Sequence, residues 1–337
     1  MARKGGWTRV GSRRHFRYLD GRGRRITDPA KLERIQALAI PPAWKDVRIS
    51  PRPGAKLQAT GVDAAGRRQY LYHDDYRAAQ EAAKFAKLVR FADALPAFRE
   101  AMSEHMEIEP MSPEWTCAVA VRLINLGWFR VGDDRYTRAN KTFGITTLRK
   151  SHVKVRGSRI AFRFRAKHRI WVRTAVVDSE LAQAMRELLE TRGGRLFRYR
   201  LDDEIYHLTA RRLNDYIAEF MGEEFTAKDF RTWGGTLIAA VALAERPPVK
   251  TETEAKRTVA AVMRTVGERL GNTPAVARAS YVSPAVVDQY LDGRTLDDFR
   301  PRHLRIVRAR ETGLDLEEQA LVSLLRSWRI RSARKAA

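Results

Sequence analysis

The sequence predicts an α+β protein with two domains, a small N-terminal domain that is mainly antiparallel β and a larger domain that is mostly α-helical. Three observations indicate this fold class: short elements between turns up to about residue 80, long helical periodicity after it, and one three-stranded β element within the helical part. The chain has 337 residues, 44% of them hydrophobic, which is enough for two cores. We place the domains at residues 1–83 and 84–337.

Turns divide the N-terminal domain into short elements. Pro41-Pro42 and Pro51-Arg52-Pro53-Gly54 are turn sequences of this kind. Pro29 to Leu38 has the pattern of a short helix, and the alternation from Arg67 to Tyr72 predicts a strand.

The second domain begins where the helical periodicity starts. The predicted helices are Ala79 to Leu95, Pro113 to Leu126, Ser179 to Thr191, Leu208 to Met221, Ala227 to Ala244 and Thr251 to Leu270. Alternating residues at 152–155, 160–165 and 170–173 predict three strands joined by tight turns. Lys167 falls at the tip of the second of these hairpins.

The composition points to a polyanionic partner inside the cell. The 64 Lys+Arg exceed the 40 Asp+Glu by 24, and each cation that reaches a phosphate displaces condensed counterions. A ribosomal or architectural protein would carry the same charge. No apolar run approaches the ~18 residues of a membrane span. Cys117 is the only cysteine, which excludes an internal disulfide and a cysteine-ligated zinc site, and its apolar neighbours predict a buried thiol.

Motifs for nucleotide hydrolysis and metal binding are missing. The chain has no Gly-x-x-x-x-Gly-Lys-[Ser/Thr] loop, and its seven histidines are never spaced i, i+4. The acidic pairs are typical of turns and caps, although spacing alone does not exclude a carboxylate-metal nuclease; they are Asp74-Asp75, Asp133-Asp134, Asp202-Asp203 and Asp297-Asp298. We therefore expect no metal and no cofactor, and an arginine-, lysine- and tyrosine-based site for phosphodiester chemistry.

Four segments carry candidate residues for such a site. Arg130 precedes Val131-Gly132-Asp133-Asp134, and Lys167 lies on its hairpin. Either residue alone would also fit a solvated side chain that positions a phosphate.

The other two candidates lie near helix termini. Thr226 and Asp229 resemble a capping box and place Arg231 near a helix N-terminus, where an anion is favourable. Gly271 ends one helix, Thr273-Pro274 starts a short one, and Tyr281 is left at a helix junction.

Together these segments resemble the type IB DNA topoisomerases, in the small form found in poxviruses and bacteria. The order Arg, Lys, Arg, His or Asn, Tyr is the catalytic order of that family, and the resemblance covers nearly the whole chain. The N-terminal half adds segments that look like the family's DNA-clamping domain; they are Gly6-Trp7, Phe16-Arg17-Tyr18, Ile40 to Trp44, Gln58 to Gly61 and Gly66 to Tyr72.

The resemblance implies the role of each candidate. Tyr281 would attack the scissile phosphodiester, leaving a 3′-phosphotyrosyl link and a free 5′-hydroxyl. Arg130 and Arg231 would stabilise the pentacoordinate transition state, and Lys167 would be the general acid, with Arg130 as a second donor. The expected protein is a cytoplasmic, nucleoid-associated monomer that relaxes double-stranded DNA without ATP or a metal ion.

One position departs from the family pattern. Many relatives have histidine where this chain has Asn272, and an amide donates a hydrogen bond but does not exchange a proton near neutral pH. Asn272 is alternatively a helix C-terminal residue after Gly271. Among the other tyrosines, Tyr290 fits an apolar core face, and Tyr136 fits a phosphate or packing partner of Arg130.

The resemblance also implies DNA contacts outside the catalytic group. In the N-terminal domain Gln69 would pair with a base edge, while Tyr70 and Tyr72 would touch bases or the backbone. These two tyrosines would otherwise simply share one face of a strand. Arg67 and Lys228 complete the expected DNA-binding set.

Two other functions remain open on the sequence. A tyrosine recombinase shares the catalytic domain, but its usual His-x-Leu-Arg-His differs from Lys228-Asp229-Phe230-Arg231-Thr232 here. A non-catalytic DNA-binding protein would not depend on Tyr281 at all.

Overall fold

The computed structural model describes residues 6–12, 15–64, 66–247, 249, 251–300 and 313–336. The chain divides into two compact units, Met1–Lys84 and Phe85–Ala337, called unit 1 and unit 2 below. An antiparallel sheet in unit 1 and a mostly helical unit 2 with its own three-stranded sheet confirm the predicted fold class. In the part of the chain that is described, no helix is long and apolar enough to cross a membrane.

Unit 1 is built on a five-stranded antiparallel sheet in the order β2-β1-β3-β4-β5. Its strands are β1 (Trp7–Ser12), β2 (His15–Leu19), β3 (Lys45–Ile49), β4 (Leu57–Val62) and β5 (Arg68–Tyr72). Helix α1 (Pro29–Ala37) lies wholly inside the unit and is capped by the Asp28 carboxylate, which accepts a hydrogen bond from Ala30 N–H at 3.0 Å. Ile35 of α1 is buried in the same small core as Trp7 and Val47. Strand β5, which carries the predicted DNA contacts, lies at the edge of the sheet.

Most of unit 2 is helical. Helix α2 (Asp74–Ala86) crosses the boundary between the units, and the helices after it are α3 (Leu88–Glu107), α4 (Pro113–Gly127), α5 (Asp134–Asn140), α6 (Ser179–Glu190), α7 (Ala210–Met221), α8 (Ala227–Ala244), α9 (Glu252–Leu270), α10 (Pro274–Ser280), α11 (Pro284–Leu291) and α12 (Leu316–Ala336). Helices α4 and α8 are buried on nearly all sides, Cys117 of α4 included.

Aromatic packing holds α8 in the centre of unit 2. The ring of Phe91 on α3 meets Phe230 edge-on, with 4.9 Å between centroids, and lies 6.1 Å from Trp233. Because Phe230 and Trp233 flank Arg231 in the sequence, these contacts also fix the backbone that carries Arg231.

The predicted β element is a separate sheet in unit 2. Strands β6 (Val153–Arg156), β7 (Arg159–Arg165) and β8 (Trp171–Val177) form an antiparallel sheet in that order. Ile160 and Phe162 of β7 point into the core, while Arg163 and Arg165 are exposed.

The structure corrects two local expectations. The helix predicted from Ala79 to Leu95 is two helices, because the chain turns at Lys87 between α2, which has no buried residue, and α3, which is buried from Leu88 onward. A separate hairpin of unit 2, β9 (Arg198–Leu201) with β10 (Glu204–His207), was not predicted. It closes through Asp202 and Asp203, both with left-handed backbone, and its residues are mostly exposed, so it lacks the apolar alternation of a strand.

Candidate active site

Arg130 follows α4 and reaches the end of α9. Its Nη2 donates to the carbonyl of Gly271 at 2.8 Å and to Oδ1 of Asn272 at 2.6 Å. Gly271 ends α9 in the left-handed region (φ 63°), which glycine adopts without strain. Burial and the nearby charge of Arg231 together lower the pKa of Arg130 to about 10, even though Tyr281 acts in the opposite direction.

Arg231 lies in the second turn of α8 and is only 5% exposed. Its guanidinium donates to the carbonyl of Trp128 and, at 2.7 Å, to the carbonyl of Leu270. Its Nε is buried and has no hydrogen-bond partner among the described residues. Burial lowers the pKa of Arg231, against the opposing effect of Tyr281.

Neither guanidinium is neutralised by a carboxylate within the described ranges, whereas two other partly buried arginines of unit 2, Arg99 and Arg122, are. Arg99 pairs with Glu318 at 2.8 Å and Arg122 pairs with Asp178 at 2.7 Å. A buried cation without a counter-charge is costly unless an anion binds beside it. Arg130 and Arg231 are therefore candidates for binding an anion, since no carboxylate of the described residues occupies that place.

The start of α8 has the expected cap. The Asp229 carboxylate accepts hydrogen bonds from the Thr226 backbone N–H at 2.9 Å and from its hydroxyl at 3.0 Å. The other oxygen of Asp229 pairs with Lys87 Nζ at 2.7 Å, which ties α8 to the turn before α3. These contacts fix the first turn of α8 and thereby the position of Arg231.

Tyr281 is the residue after α10 and lies against α8. Its backbone N–H donates to Ala277 at 3.0 Å, and its carbonyl accepts from the Thr236 hydroxyl at 3.2 Å. The ring is partly buried, and Cζ of Arg231 lies 5.0 Å from its centroid. Gly235 makes this approach possible, because a Cβ there would lie 2.7 Å from the Tyr281 carbonyl oxygen.

The charges around Tyr281 favour its ionised form. Burial by itself raises the pKa of Tyr281, but Arg231, Arg130 and Lys228 together lower it below the ordinary value of a tyrosine. The described residues thus bring together a phenol whose pKa is lowered and two guanidinium groups that have no carboxylate partner among them.

Lys167 lies apart from this group. It is exposed at the tip between β7 and β8, in a turn closed by the hydrogen bond from Ala166 N–H to the Ile170 carbonyl at 2.8 Å. His168 and Arg169 of the turn both have left-handed backbone, with φ of 63° and 59°. No described residue forms a hydrogen bond or salt bridge with the Lys167 ammonium group.

A pocket of about 570 Å³ connects the two arginines with this hairpin. Its lining includes Arg130, Arg231 and Gly271, together with Ala166 and Trp171 of the hairpin. Lys167 is therefore next in sequence to a residue of the pocket wall, although it does not itself line the pocket.

Asn272 is positioned by the turn at the end of α9. Its backbone N–H donates to the Gly267 carbonyl at 2.7 Å, as a helix C-terminal residue does. Its Oδ1 accepts from Arg130, and its Nδ2 lies 3.4 Å from the Leu270 carbonyl. The amide thus orients Arg130 and keeps most of its donor capacity.

The candidate DNA contacts of unit 1 lie on both faces of β5. Asp63 holds two of them: Gln69 Nε2 donates to its Oδ2 at 2.9 Å, and Arg67 Nε donates to the same oxygen at 2.8 Å. Tyr70 and Tyr72 lie on the exposed face, with their rings stacked at 6.3 Å between centroids.

Two further candidates are exposed in unit 2. Tyr136 of α5 is 47% exposed and has no hydrogen bond to Arg130. Lys228 is exposed in the first turn of α8, near enough to Tyr281 to lower its pKa. Tyr290, expected in the core, is 4% exposed.

The structure adds residues that the sequence patterns did not single out. Trp128 ends α4 in the left-handed region (φ 51°), offers its carbonyl to Arg231 and packs its indole where a Cβ of Gly234 would lie. The adjacent glycines Gly234 and Gly235 were the available signal. Each costs about 1 kcal/mol relative to alanine inside a helix, so a pair of them in an otherwise apolar helix indicates close packing.

No group of three or more His, Cys, Asp or Glu side chains that could hold a metal ion occurs in the described part of the chain.

Comparisons with known proteins give two family matches. The model described as eukaryotic DNA topoisomerase I, catalytic core, matches residues 73–293, and the model described as bacterial DNA topoisomerase IB, N-terminal domain, matches residues 15–63. DNA topoisomerase 1B of Acanthamoeba polyphaga mimivirus is 33% identical over 268 residues, which is 77% of this chain and 80% of that protein. DNA topoisomerase I of monkeypox virus and DNA topoisomerase 1B of vaccinia virus (strain Copenhagen) are each 21% identical over 284 residues, 80% of this chain and 85% of the relative.

Proposed function

The chain belongs to the type IB DNA topoisomerase family, and we propose that it relaxes supercoiled duplex DNA by cleaving and rejoining one strand through Tyr281. The observation that carries the assignment of the site is the contact of Tyr281 with Arg231, beside Arg130, with no carboxylate of the described residues to neutralise either arginine. A phosphodiester is the anion that this arrangement fits, because guanidinium groups donate paired hydrogen bonds to its non-bridging oxygens.

The cleavage step transfers the strand from one oxygen to another. The Oη of Tyr281 forms a bond to phosphorus, the bond from phosphorus to the 5′-oxygen breaks, and the DNA keeps a 3′-phosphotyrosyl link. The phenol loses its proton to solvent before or during attack. The leaving 5′-oxygen gains a proton, which we assign to Lys167 as general acid, with Arg130 as a second donor. Arg130 and Arg231 stabilise the charge on the pentacoordinate phosphorus.

Rejoining is the reverse of this step. The 5′-hydroxyl attacks the phosphotyrosyl link after the helix has turned, and Tyr281 leaves as the phenolate that its surroundings favour. Because the phosphotyrosyl bond keeps the energy of the broken phosphodiester, the proposed cycle needs neither ATP nor a metal ion. We propose that a single protein molecule carries out this cycle and that it is associated with the nucleoid.

DNA binding is assigned to both units. In unit 1 we assign base contact to Gln69 and contact with the sugar-phosphate backbone or bases to Tyr70, Tyr72 and Arg67. In unit 2 Tyr136 and Lys228 are exposed for backbone contacts. Asn272 orients Arg130 and donates its amide hydrogen to a non-bridging oxygen.

A plasmid assay tests the reaction. We expect relaxation of a supercoiled plasmid without ATP and in the presence of a metal chelator, and a covalent DNA-peptide adduct whose tyrosine is Tyr281. A plasmid that stays supercoiled unless paired recombination sites are supplied would indicate a recombinase instead.

A pair of matched variants tests the nucleophile. Tyr281→Phe should abolish relaxation and the adduct and leave DNA binding intact. Tyr290→Phe is the control, because the hydroxyl of Tyr290 is buried without a hydrogen-bond partner in the described structure and its loss should be neutral. Unchanged relaxation by Tyr281→Phe would refute the proposal.

A further inference from the structure

The sheet that presents Lys167 has an unusually cationic solvent face. Cross-strand partners point to the same side of a sheet, so the register of β6, β7 and β8 assigns ten positions to the side opposite the core. Six of these ten side chains are Lys or Arg, all exposed, and none is acidic; the six are Lys154, Arg156, Arg159, Arg163, Arg165 and Arg173.

In the described part of the chain, no carboxylate balances this charge. None of the six cations forms a salt bridge within the described residues, although Arg195 of the same unit pairs with Asp134 at 2.7 Å. Two arginine pairs also lie directly opposite each other, Arg163 with Arg173 and Arg156 with Arg159. Like charges in register destabilise a sheet, so this face works against folding and indicates a polyanionic ligand.

This cationic face continues to the β7-β8 hairpin, which carries Lys167. Trp171 is directly opposite Arg165, is 46% exposed, and has the Cζ atoms of Arg163 and Arg165 each 5.2 Å from its ring. Lys167 follows Arg165 by two residues. The seven residues of β7 are about 20 Å long, which is enough to lie beside several successive phosphates of one DNA strand.

The position of the hairpin indicates which part of the DNA the face meets. In an in-line displacement the leaving oxygen lies opposite the attacking oxygen. Lys167, the proposed acid for the leaving oxygen, lies on the hairpin between β7 and β8, and Ala166 and Trp171 of that hairpin line the same pocket as Arg231. The hairpin side is therefore the side of the leaving 5′-oxygen.

We propose that the exposed face of the β6-β7-β8 sheet binds the sugar-phosphate backbone of the duplex segment that carries the leaving 5′-hydroxyl. The inference rests on the proposed function, because it uses Tyr281 as the nucleophile and Lys167 as the acid. It adds a binding surface that retains the released segment near the phosphotyrosyl link and so favours rejoining.

The test compares two pairs of exposed arginines. Arg156→Gln/Arg159→Gln removes two charges at the end of the face far from Lys167, and Arg257→Gln/Arg264→Gln removes two from α9. Binding is measured over a range of salt concentration with Tyr281→Phe forms of each protein. Two duplexes are compared. The first extends well beyond the cleavage position on both sides, and this position is mapped beforehand with the wild-type protein. The second is shortened on the leaving side, which is the side that carries the leaving 5′-hydroxyl.

The sheet variant and the α9 variant should differ in how the salt dependence of binding responds to duplex length. For Arg156→Gln/Arg159→Gln, the sheet variant, the negative slope of log affinity against log salt concentration should be less steep by about 2 on the long duplex. Each phosphate contact contributes about 0.9 to that slope, and two contacts are removed. On the shortened duplex its slope should equal that of the parent protein, and its melting temperature should not fall, because the substitution relieves repulsion between opposed arginines. The α9 variant should not show this dependence on duplex length.

Three results would count against it. An unchanged slope on the long duplex, or an equal loss on both duplexes, would overturn the assignment of the face to the leaving side. A lower melting temperature would give the two arginines a structural role instead. If the unmodified protein formed no Tyr281 adduct on the long duplex, the proposed function itself would fail, and that result is separate from the binding data.

Discussion

The guanidinium of Arg231 lies against the ring of Tyr281, with 5.0 Å between Cζ and the ring centroid. The Leu270 carbonyl holds the Arg231 side chain, and the Thr236 hydroxyl holds the Tyr281 backbone. Arg231 donates to the carbonyl of Leu270, so the end of α9 fixes its orientation. The positive charge and the phenol are thus in contact before any DNA binds, which limits the reorganisation needed at the moment of reaction.

We expect Arg231→Lys to lose most of the cleavage rate although it keeps the charge. Lysine cannot donate to two carbonyls and a phosphate in the planar geometry of a guanidinium. Loss of a preorganised donor of this kind lowers the rate by roughly 100- to 1,000-fold. The measurement is the single-turnover rate of adduct formation, with the exposed Arg257→Lys as control. A rate near that of the wild type would mean that charge alone suffices.

The charges around Tyr281 predict a pH effect. Lys228 helps to lower the pKa of Tyr281, so Lys228→Gln should raise that pKa and shift the pH dependence of cleavage to higher pH. Near-ultraviolet titration of the tyrosinate, taken as the difference from the same protein with Tyr281→Phe, measures the shift directly. Arg257→Gln, on α9, is the charge-matched control. A shift to lower pH, or an equal shift in the control, would contradict the prediction.

Asn272 allows a test of the free charge on Arg130. In Asn272→Asp a carboxylate would replace the amide oxygen 2.6 Å from Arg130 Nη2 and neutralise the guanidinium. We therefore expect slower cleavage and a higher pKa for Tyr281 than in Asn272→Ala, which removes the contact without adding charge. If Asn272→Ala were the slower variant, the hydrogen bonds of the amide would matter more than the charge of Arg130.

Gly235 sets the distance between α8 and Tyr281. In Gly235→Ala the new Cβ would lie 2.7 Å from the carbonyl oxygen and 2.9 Å from Cβ of Tyr281, so the tyrosine must move. Overpacking of this kind costs about 1–3 kcal/mol of folding free energy. We expect a lower melting temperature and a lower cleavage rate with DNA binding unchanged. Gly194→Ala is the matched control, since nothing lies within 4 Å of a Cβ there.

The assignment of Lys167 as general acid predicts chemical rescue. Lys167→Ala should cleave an ordinary duplex slowly, because the 5′-alkoxide then leaves without a proton. A duplex with sulfur in place of the bridging 5′-oxygen should restore the rate, since a thiol has a pKa of about 8.5 and leaves as the thiolate. Arg231→Ala should not be rescued. Equal slow rates of Lys167→Ala on both duplexes would assign the proton to another residue.

Much of the fold could be predicted from hydrophobic periodicity and from the turn and capping residues. Apolar spacing located α4, α8 and α9 to within a few residues, because each has a strong cap and an extensive buried face. The mostly exposed β9-β10 hairpin and the turn at Lys87 were missed, since neither leaves an apolar pattern in the sequence.

The order of residue types along the chain determined by itself the family, the candidate nucleophile Tyr281 and the cations around it. Only the tertiary structure decided which of them meet. Arg130 and Arg231 are 101 positions apart, and both reach the end of α9, because the backbone carbonyls there accept their hydrogen bonds. Lys167 remains outside that group, on a hairpin where no described residue pairs with its ammonium group. The sequence gives the charges, but the contacts between α8, α9 and α10 decide which charges act on Tyr281.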